Sequence, residues 1–184
     1  MKTTEHPNGI DTGALRGAIE AIVENPASGQ TRWSVRSEWK GGTRTDHHIA
    51  AYEIGGEHIE RPFTLRIDQP HELHGTNEYA NPQEFLLSAV NACMMIGYAA
   101  VGALMGIELT SLEIELEGDI DARGFLGLDE SVANGYESLR QRVRIAGNAS
   151  PEELRKLHET VLATSPNFFN ITNAIPTNSE LVIE

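Results

Sequence analysis

Cysteine is nearly absent from this sequence, because Cys93 is the only one among 184 residues. A single cysteine cannot form a disulfide within the chain, which excludes the small secreted domains that depend on such bonds. A chain of this length buries roughly 70% of the surface that its unfolded form exposes, so its stability requires no covalent or metal staple. The first residues also lack the basic and then apolar pattern of a secretory signal. We therefore expect one domain, residues 1–184, in the cytoplasm.

Positive charge is scarce as well. The 14 Lys and Arg residues stand against 27 Asp and Glu residues, which gives a formal net charge of −13 at pH 7. Such a chain repels phosphate backbones and anionic lipid headgroups, and no basic stripe reverses that charge locally. Nucleic acid is therefore not an expected partner. The sequence also lacks the glycine-flanked serine of hydrolases and a phosphate-binding Gly-Lys-Ser/Thr loop, and we expect no cofactor.

One long apolar run is present, at residues 85–109. Acidic residues flank it, and it lacks the Lys/Arg flank and the aromatic belts that orient a transmembrane helix. Asn81 is a favourable N-cap, and the fixed φ of Pro82 suits the first helical position. We therefore expect a buried core helix over residues 82–105 and no membrane.

Hydrophobic periodicity predicts the elements before this run. Apolar residues at helical spacing indicate an amphipathic helix over residues 11–25. Alternating apolar and polar residues predict a meander of antiparallel strands over residues 31–68. The glycine pairs Gly41-Gly42 and Gly55-Gly56 mark its turns.

The remainder of the chain, residues 109–184, is predicted to form two strands, two helices and a closing strand. The predicted strands are residues 109–121, 139–146 and 179–183, and the predicted helices begin at Ser150-Pro151 and Ser165-Pro166. The loop over residues 121–135 is too long for a simple hairpin, and its length indicates a function or an oligomer contact. The fold class is therefore α+β.

Cys93 lies about three turns into the predicted central helix, where a thiol is either an inert small hydrophobic group or a nucleophile. The sequence leading to it, NPQEFLLSAVNAC at residues 81–93, resembles the helix signature of the OsmC/Ohr family of osmotically inducible and organic-hydroperoxide-resistance proteins. The resemblance extends to Trp39-Lys40-Gly41-Gly42, to the loop at residues 68–75 and to both proline-started helices. It implies antiparallel sheets wrapped around long central helices in an intertwined homodimer, with each active site at the subunit interface.

In peroxidase members of that family, the helix cysteine attacks the O–O bond of a hydroperoxide, and a second cysteine resolves the resulting sulfenic acid as a disulfide. The resemblance puts Ser165 at the position of that second cysteine. A serine cannot form the disulfide, so a sulfenate on Cys93 would require an external thiol for its reduction. The alternative is that this chemistry has been lost or replaced.

The resemblance further implies a thiolate-stabilising arginine from the first hairpin and a glutamate near the start of the helix. Arg44 is the best match for the arginine, although a turn also accounts for an ordinary surface arginine there. Gln83 stands at the carboxylate position, and Glu84 follows it. A helix advances ~100° per residue, so Gln83 lies within ~80° of the direction of Cys93 and Glu84 lies on the opposite face. We expect Glu84 to be a solvated first-turn carboxylate.

Histidines supply a further candidate group, consisting of His47, His48, His71 and His74. Together with Cys93 they contain the atom types of a zinc or iron site. No third ligand is fixed by their spacing, and loop histidines usually face water or bond to the backbone. We therefore expect no metal.

Three functional hypotheses follow. The leading one is an OsmC-like thiol protein that reduces organic or inorganic hydroperoxides through Cys93 with an external thiol, with Arg44 as the thiolate partner and Ser165, Gln83 and Glu84 lining the site. The alternative is a noncatalytic homodimer that binds a small hydrophobic or thiol ligand in its interface pocket. A structural or regulatory dimer without a site is the third.

Overall fold

The computed structural model describes residues 6–183, which group into two compact units. The single domain over residues 1–184 stays a prediction. The meander unit is Asp11–Ser88. The core unit combines Met1–Ile10 with Ala89–Glu184. Its described part is residues 6–10 and 89–183.

The meander unit begins with helix α1, Thr12–Glu24, whose N-cap Asp11 accepts a hydrogen bond from the backbone N–H of Ala14 at 2.8 Å. A sheet of four strands follows, in which β1, β2 and β4 all pair antiparallel with β3. The strands are β1 Thr31–Trp33, β2 Arg36–Trp39, β3 Thr45–Ile54 and β4 Glu57–Ile67. The predicted meander is therefore present, with its first strand divided into β1 and β2.

The division of the first strand has a cause in the register of the sheet. Trp33 pairs with Tyr52 and Arg36 pairs with His48, so four steps along β3 oppose three steps along the first strand. The pairing of β3 with β4 is irregular at the same place, but there the extra residue is on β4, because two steps from Ile49 to Ala51 oppose three steps from Phe63 to Glu60. A bulge in β3 thus interrupts the ladder and separates β1 from β2.

The turns of the meander depend on glycine. Gly55 and Gly56 join β3 to β4 with φ values of 57° and 85°, as a tight hairpin turn with two left-handed residues requires. Of residues 11–88, all of which are described, only Asp68 is buried. Large apolar side chains in and between the strands are left exposed, including Trp33, Val35, Trp39 and Phe63.

The core unit contains the hydrophobic core of the described chain. Helix α2, Pro82–Leu104, begins in the meander unit and contributes Val90, Met94 and Tyr98, which are spaced four residues apart and form one buried stripe. The stripe packs near Leu157 and Val161 of helix α4, Pro151–Thr164, which are also fully buried. By length and composition alone α2 could cross a membrane, as the core helices of soluble proteins also could. Its location outside a membrane stays a prediction.

The other elements of the core unit are a two-stranded antiparallel sheet and three further helices. They are β5 Leu109–Gly118, α3 Ala122–Phe125, β6 Leu139–Gly147, α4 Pro151–Thr164 and α5 Pro166–Thr172. The sheet presents Ile114 of β5 and Val143 of β6, directly opposite each other in the register, to the core. The long loop at residues 121–135 contains the short helix α3.

The predicted helix starts are confirmed by their caps. At α2, Asn81 and Glu84 form a reciprocal capping box, in which each side chain accepts a hydrogen bond from the other residue's backbone N–H, at 2.7 and 2.9 Å. At α4, Ser150 and Glu153 form a second capping box. Ser165 caps α5, with Pro166 at the first helical position.

The predicted closing strand at residues 179–183 is wrong, because these residues have no regular secondary structure. Leu181 and Val182 are 83% and 72% exposed. Their alternating pattern suits a strand, but a strand forms only where an unpaired sheet edge is within reach. Within residues 6–183 the segment pairs with none.

Candidate functional site

The candidate site in the core unit is built on Cys93. This residue lies in α2 between Val90 and Met94 of the buried stripe, and its thiol is half-buried and free. Cys93 therefore lies at the edge of the buried stripe, and part of its side chain stays accessible to solvent. Partial access of this kind is what a reactive cysteine requires and a purely structural one does not.

Ser165 is the residue that the structure brings to Cys93. It ends α4 and caps α5, and only 6% of its surface is exposed. Its hydroxyl donates a hydrogen bond to Cys93 Sγ over an Oγ–Sγ distance of 3.4 Å. The same Oγ accepts a hydrogen bond from the backbone N–H of Phe168, also at 3.4 Å. The hydroxyl oxygen can accept this bond and still donate its one proton to the sulfur.

The backbone around this serine is fixed by two further hydrogen bonds. The N–H of Ser165 donates to the carbonyl of Val161 at 2.9 Å, and the side-chain amide of Asn167 donates to the carbonyl of Ala89 at 2.9 Å. The second bond ties the start of α5 to the helix that carries Cys93. The hydroxyl therefore faces the sulfur from a rigid position.

Arg44 lies in the meander unit, in the turn between β2 and β3. Its backbone closes the turn, since the N–H of Lys40 donates to the carbonyl of Arg44 at 2.8 Å. Its guanidinium forms an ion pair with Glu78 at 3.4 Å and lies over the ring of Tyr79, 5.8 Å from the centroid. The side chains of Arg44 and Glu78 are 42% and 51% exposed. Arg44 is thus positioned by two partners rather than extended into solvent.

Asp68, at the end of β4, is a buried carboxylate that the sequence did not single out as functional. It accepts hydrogen bonds from the hydroxyl of Thr43 at 2.6 Å and from the hydroxyl and N–H of Thr76 at 2.5 and 2.9 Å. The N–H of Glu78 adds a longer bond at 3.4 Å. The Thr43 and Thr76 hydroxyls hold the pKa of Asp68 far below its usual range. Asp68 therefore remains ionised and joins the turn before β3 to the loop after β4.

The loop after β4 is closed tightly by its own backbone. The N–H of Gly75 donates to the carbonyl of Pro70, and the N–H of Asn77 donates to the carbonyl of Gln69. A Cβ on Gly75 would lie 1.7 Å from the carbonyl oxygen of Gln69, so only glycine fits there. This close approach is what carries Thr76 and Glu78 back to Asp68.

The two candidates at the start of α2 differ in what they do. Gln83 is exposed in the first turn. Glu84 is also exposed, but its carboxylate accepts the hydrogen bond from the N–H of Asn81 in the capping box. Its role is therefore to begin the helix. That role agrees with the predicted first-turn position of Glu84. Its hydrogen bond to Asn81 is a contact that the helical periodicity did not indicate.

The histidines are engaged in hydrogen bonds within the meander unit. Nδ1 of His47 is 2.8 Å from the Ser37 hydroxyl, and Nδ1 of His48 is 3.2 Å from the hydroxyl of Thr64. His71 Nδ1 lies 3.1 Å from the carbonyl of Gly75. His74 adopts a left-handed backbone conformation at the end of a short 3-10 helix, His71–Leu73. Among residues 6–183, no three His, Cys, Asp or Glu side chains are grouped as metal ligands.

A groove of about 610 Å³ lies in the core unit between β6 and α4. Its lining is mainly apolar and consists of Leu139, Val143, Ile145, Leu154, Leu162 and Phe168, with the polar residues Gln141, Arg155 and His158. Nδ1 of His158 is hydrogen-bonded to the fully buried phenol of Tyr98. Burial raises the pKa of Tyr98 to about 12, so its phenol stays protonated at neutral pH.

Comparison with known proteins places these features in a family. A family model described as OsmC-like protein matches residues 75–180. The uncharacterized protein YmaD of Bacillus subtilis (strain 168) is 28% identical over 150 residues, which cover 82% of this chain and 90% of that protein.

Solved structures show the same fold at low sequence identity. The OsmC-like protein from Mycoplasma pneumoniae is 15% identical, with a TM-score of 0.60 over 77% of this chain and 87% of that one. The OsmC-like protein of unknown function VCA0330 from Vibrio cholerae O1 biovar eltor str. N16961 is 16% identical, with a TM-score of 0.50 over 76% of this chain and 92% of that one. These likenesses confirm the predicted OsmC-like α+β fold.

Proposed function

We propose that this chain, which belongs to the OsmC-like protein family, reduces organic or inorganic hydroperoxides through Cys93 with an external thiol as reductant. The observation that carries the proposal is the hydrogen bond from the buried Ser165 hydroxyl to Cys93 Sγ at 3.4 Å. The thiolate is the form of cysteine that attacks a peroxide, and this hydroxyl is a hydrogen-bond donor within reach of the sulfur. It also occupies the position from which the resemblance expects a second thiol.

The reaction balances without a second cysteine. The Cys93 thiolate attacks one peroxide oxygen, the O–O bond breaks, and the leaving alkoxide or hydroxide takes up a proton to give an alcohol or water. Cys93 becomes a sulfenic acid. One external thiol then displaces water from that sulfur and forms a mixed disulfide. A second external thiol releases Cys93 as the thiolate and leaves as the disulfide of the reductant.

Arg44 is proposed as the cationic partner of the thiolate, because a neighbouring guanidinium favours the charged form of a thiol. Gln83 is proposed as a neutral residue of the same pocket, and Glu84 as the residue that caps its helix. The cytoplasm is the proposed compartment, since reduced small thiols are available there.

A homodimer is part of the proposal. Apolar side chains that the single chain leaves exposed support it, among them Trp39 at 74%, Phe63 at 54% and Ile96 of α2 at 68%. Soluble monomers rarely expose large apolar patches, and a second copy would cover these side chains. Sedimentation velocity at micromolar concentration tests this point, and a single monomeric species would contradict it.

Stopped-flow oxidation by tert-butyl hydroperoxide tests the chemistry. We expect Cys93 to be consumed far faster than a small free thiol at the same pH, with a sulfenate that is trapped by a dimedone-type reagent. Cys93→Ser gives the background rate. Ser165→Ala, which removes the donor to sulfur, should lower the rate, because no other hydrogen bond to Sγ is present among residues 6–183. A wild-type rate equal to that of the free thiol would refute the proposal.

The second candidate function is noncatalytic binding of a small hydrophobic or thiol ligand. The apolar groove between β6 and α4 favours it, because pockets for small molecules are mostly apolar with a few polar groups. Native mass spectrometry of the purified protein should then show a copurified ligand, and Cys93 should resist alkylation in the folded protein. Rapid alkylation of Cys93 without any bound ligand would contradict this candidate.

A further inference from the structure

The carboxylate that the family resemblance expects near the start of the central helix has no counterpart there in this chain. Gln83 is uncharged at pH 7 and cannot orient a guanidinium as an anion does. Glu84 carries a charge, but its carboxylate accepts the N–H of Asn81 at 2.7 Å in the capping box. Neither residue is therefore a suitable anionic partner for Arg44.

A carboxylate does contact Arg44, from another segment. Oε2 of Glu78 lies 3.4 Å from Nη1 of Arg44, and Tyr79, the residue after Glu78, places its ring against the same guanidinium. The ring of Tyr79 also contacts Arg66, whose guanidinium carbon is 5.9 Å from the ring centroid, and Arg66 pairs with Asp46 at 3.9 Å. Arg66 thus pairs with Asp46, whereas Glu78 pairs with Arg44.

Both sides of the Arg44–Glu78 pair are anchored to one buried group. Asp68 is fully buried and holds the hydroxyl of Thr43, the residue before Arg44. The same carboxylate accepts the N–H of Glu78 itself at 3.4 Å and both donors of Thr76. An exposed ion pair is usually weak because two flexible side chains must be ordered to form it. Here the backbones that carry the two side chains are already fixed, which removes part of that cost.

We infer that Glu78 is the positioning residue for Arg44 and supplies the carboxylate that the family otherwise carries at the start of its central helix. The inference rests on the proposed function, in which Arg44 stabilises the Cys93 thiolate. Glu78 touches neither substrate nor sulfur in this role. It holds the guanidinium in one orientation, and Asp68 holds the two segments that present the pair.

The test compares second-order rate constants for oxidation of Cys93 by tert-butyl hydroperoxide. Glu78→Gln removes the charge and keeps the size of the side chain, and we expect a loss of about threefold to tenfold. Glu72→Gln is the matched control, since Glu72 is an exposed carboxylate in the same loop, and it should leave the rate unchanged. Glu78 is half exposed, so the thermal midpoint of Glu78→Gln should stay close to that of the wild type.

Two further variants separate positioning from a general charge effect. Arg44→Met should lower the rate, and the double variant Arg44→Met with Glu78→Gln should be no slower than Arg44→Met alone, because Glu78 acts only through Arg44. Adding Gln83→Glu to Glu78→Gln should restore part of the lost rate by returning a carboxylate to the helix start.

The possible results separate the role of Glu78 from the proposed hydroperoxide reduction by Cys93. A wild-type rate no faster than a free thiol overturns both. A second result is that the wild type reacts fast and Arg44→Met reacts slowly while Glu78→Gln and Glu72→Gln have equal rate constants. That result overturns only the role of Glu78. Additive losses in the double variant would also overturn it, because they would mean that Glu78 acts independently of Arg44.

Discussion

Replacing Ser165 with cysteine should create a disulfide with Cys93. The hydroxyl oxygen of Ser165 is already 3.4 Å from Sγ of Cys93, and a sulfur in its place reaches further along the same direction. A disulfide requires a bond of about 2.0 Å, which leaves a small movement for two side chains to make. The fixed backbone around Ser165 limits any larger adjustment.

The expected gain in stability follows from the length of the loop that the bond would close. The two residues are 72 positions apart. In the chain-entropy model a loop of that size removes about 4 kcal/mol of unfolded-state entropy at 25 °C, and measured gains often fall lower, at about 2–4 kcal/mol. Cysteine caps a helix poorly, so the variant loses about 1 kcal/mol at the start of α5 in both redox states. That loss cancels when oxidised and reduced forms of the same variant are compared.

Urea denaturation of Ser165→Cys with and without a reductant gives this difference directly. We expect one equivalent of hydroperoxide to convert both thiols to a disulfide, with a mass loss of two hydrogens. The oxidised form should then unfold at higher urea than the reduced form. The double variant Cys93→Ser with Ser165→Cys should show no dependence on the reductant. Two free thiols after oxidation, or equal unfolding free energies, would refute the placement of Ser165 against Cys93.

Three further predictions concern stability. Leu157→Ala, at a fully buried position, should lower the unfolding free energy by about 2–5 kcal/mol in urea, and a loss well under that range would contradict its place in the core. The pKa of Tyr98 is raised to about 12 by burial, above its unfolded value of about 10, so its contribution is complete below pH 10 and is lost as the pH rises towards 12. The wild type should therefore lose more stability than Tyr98→Phe across that interval. The pKa of Asp68 is depressed by the Thr43 and Thr76 hydroxyls, so its contribution is complete above its unfolded pKa of about 4 and is lost on acidification. Asp68→Asn should be less stable at pH 7 and should show a shallower decline in acid; parallel acid profiles would contradict this.

Helix boundaries were accessible from the sequence because their causes are local. Asn81 and Ser150 each lie three residues before a glutamate, and both pairs form capping boxes. A cap involves residues within one turn, so no knowledge of the tertiary fold is needed to predict it. The central helix was predicted within one residue of its observed end at Leu104.

Features that depend on distant pairing were not accessible in the same way. The split between β1 and β2 follows from an extra residue in β3, and the closing strand at residues 179–183 fails for lack of a partner edge. Asn8 is a further example, since its amide bonds the carbonyls of Ala99 and Ile107 and its oxygen accepts the N–H of Leu109. These partners lie 91 to 101 residues away in the sequence. Nothing near Asn8 indicates them.

The candidate site likewise contains one part that the sequence predicted and one part that it did not. Cys93 and Ser165 were paired through a family resemblance, and the structure brings them together at 3.4 Å. The Asp68 cluster was missed, although an aspartate directly after an alternating strand and before Gln69-Pro70 was visible as a loop start. Its partners, Thr43 and Thr76, lie on either side of β3 and β4. Only the pairing of these strands makes them neighbours.

Glu84 shows why the physical cause matters more than the position alone. Helical geometry put Glu84 on the face opposite Cys93, which argued against a catalytic role. The structure supplies a stronger reason, because a carboxylate that caps the helix cannot leave without exposing the N–H of Asn81. In the proposed mechanism, a chain that uses its helix-start glutamate for capping, and has glutamine before it, takes the anion for Arg44 from elsewhere. Glu78 is the proposed source of that anion, because it pairs with Arg44 and Asp68 ties its backbone to the turn that carries Arg44.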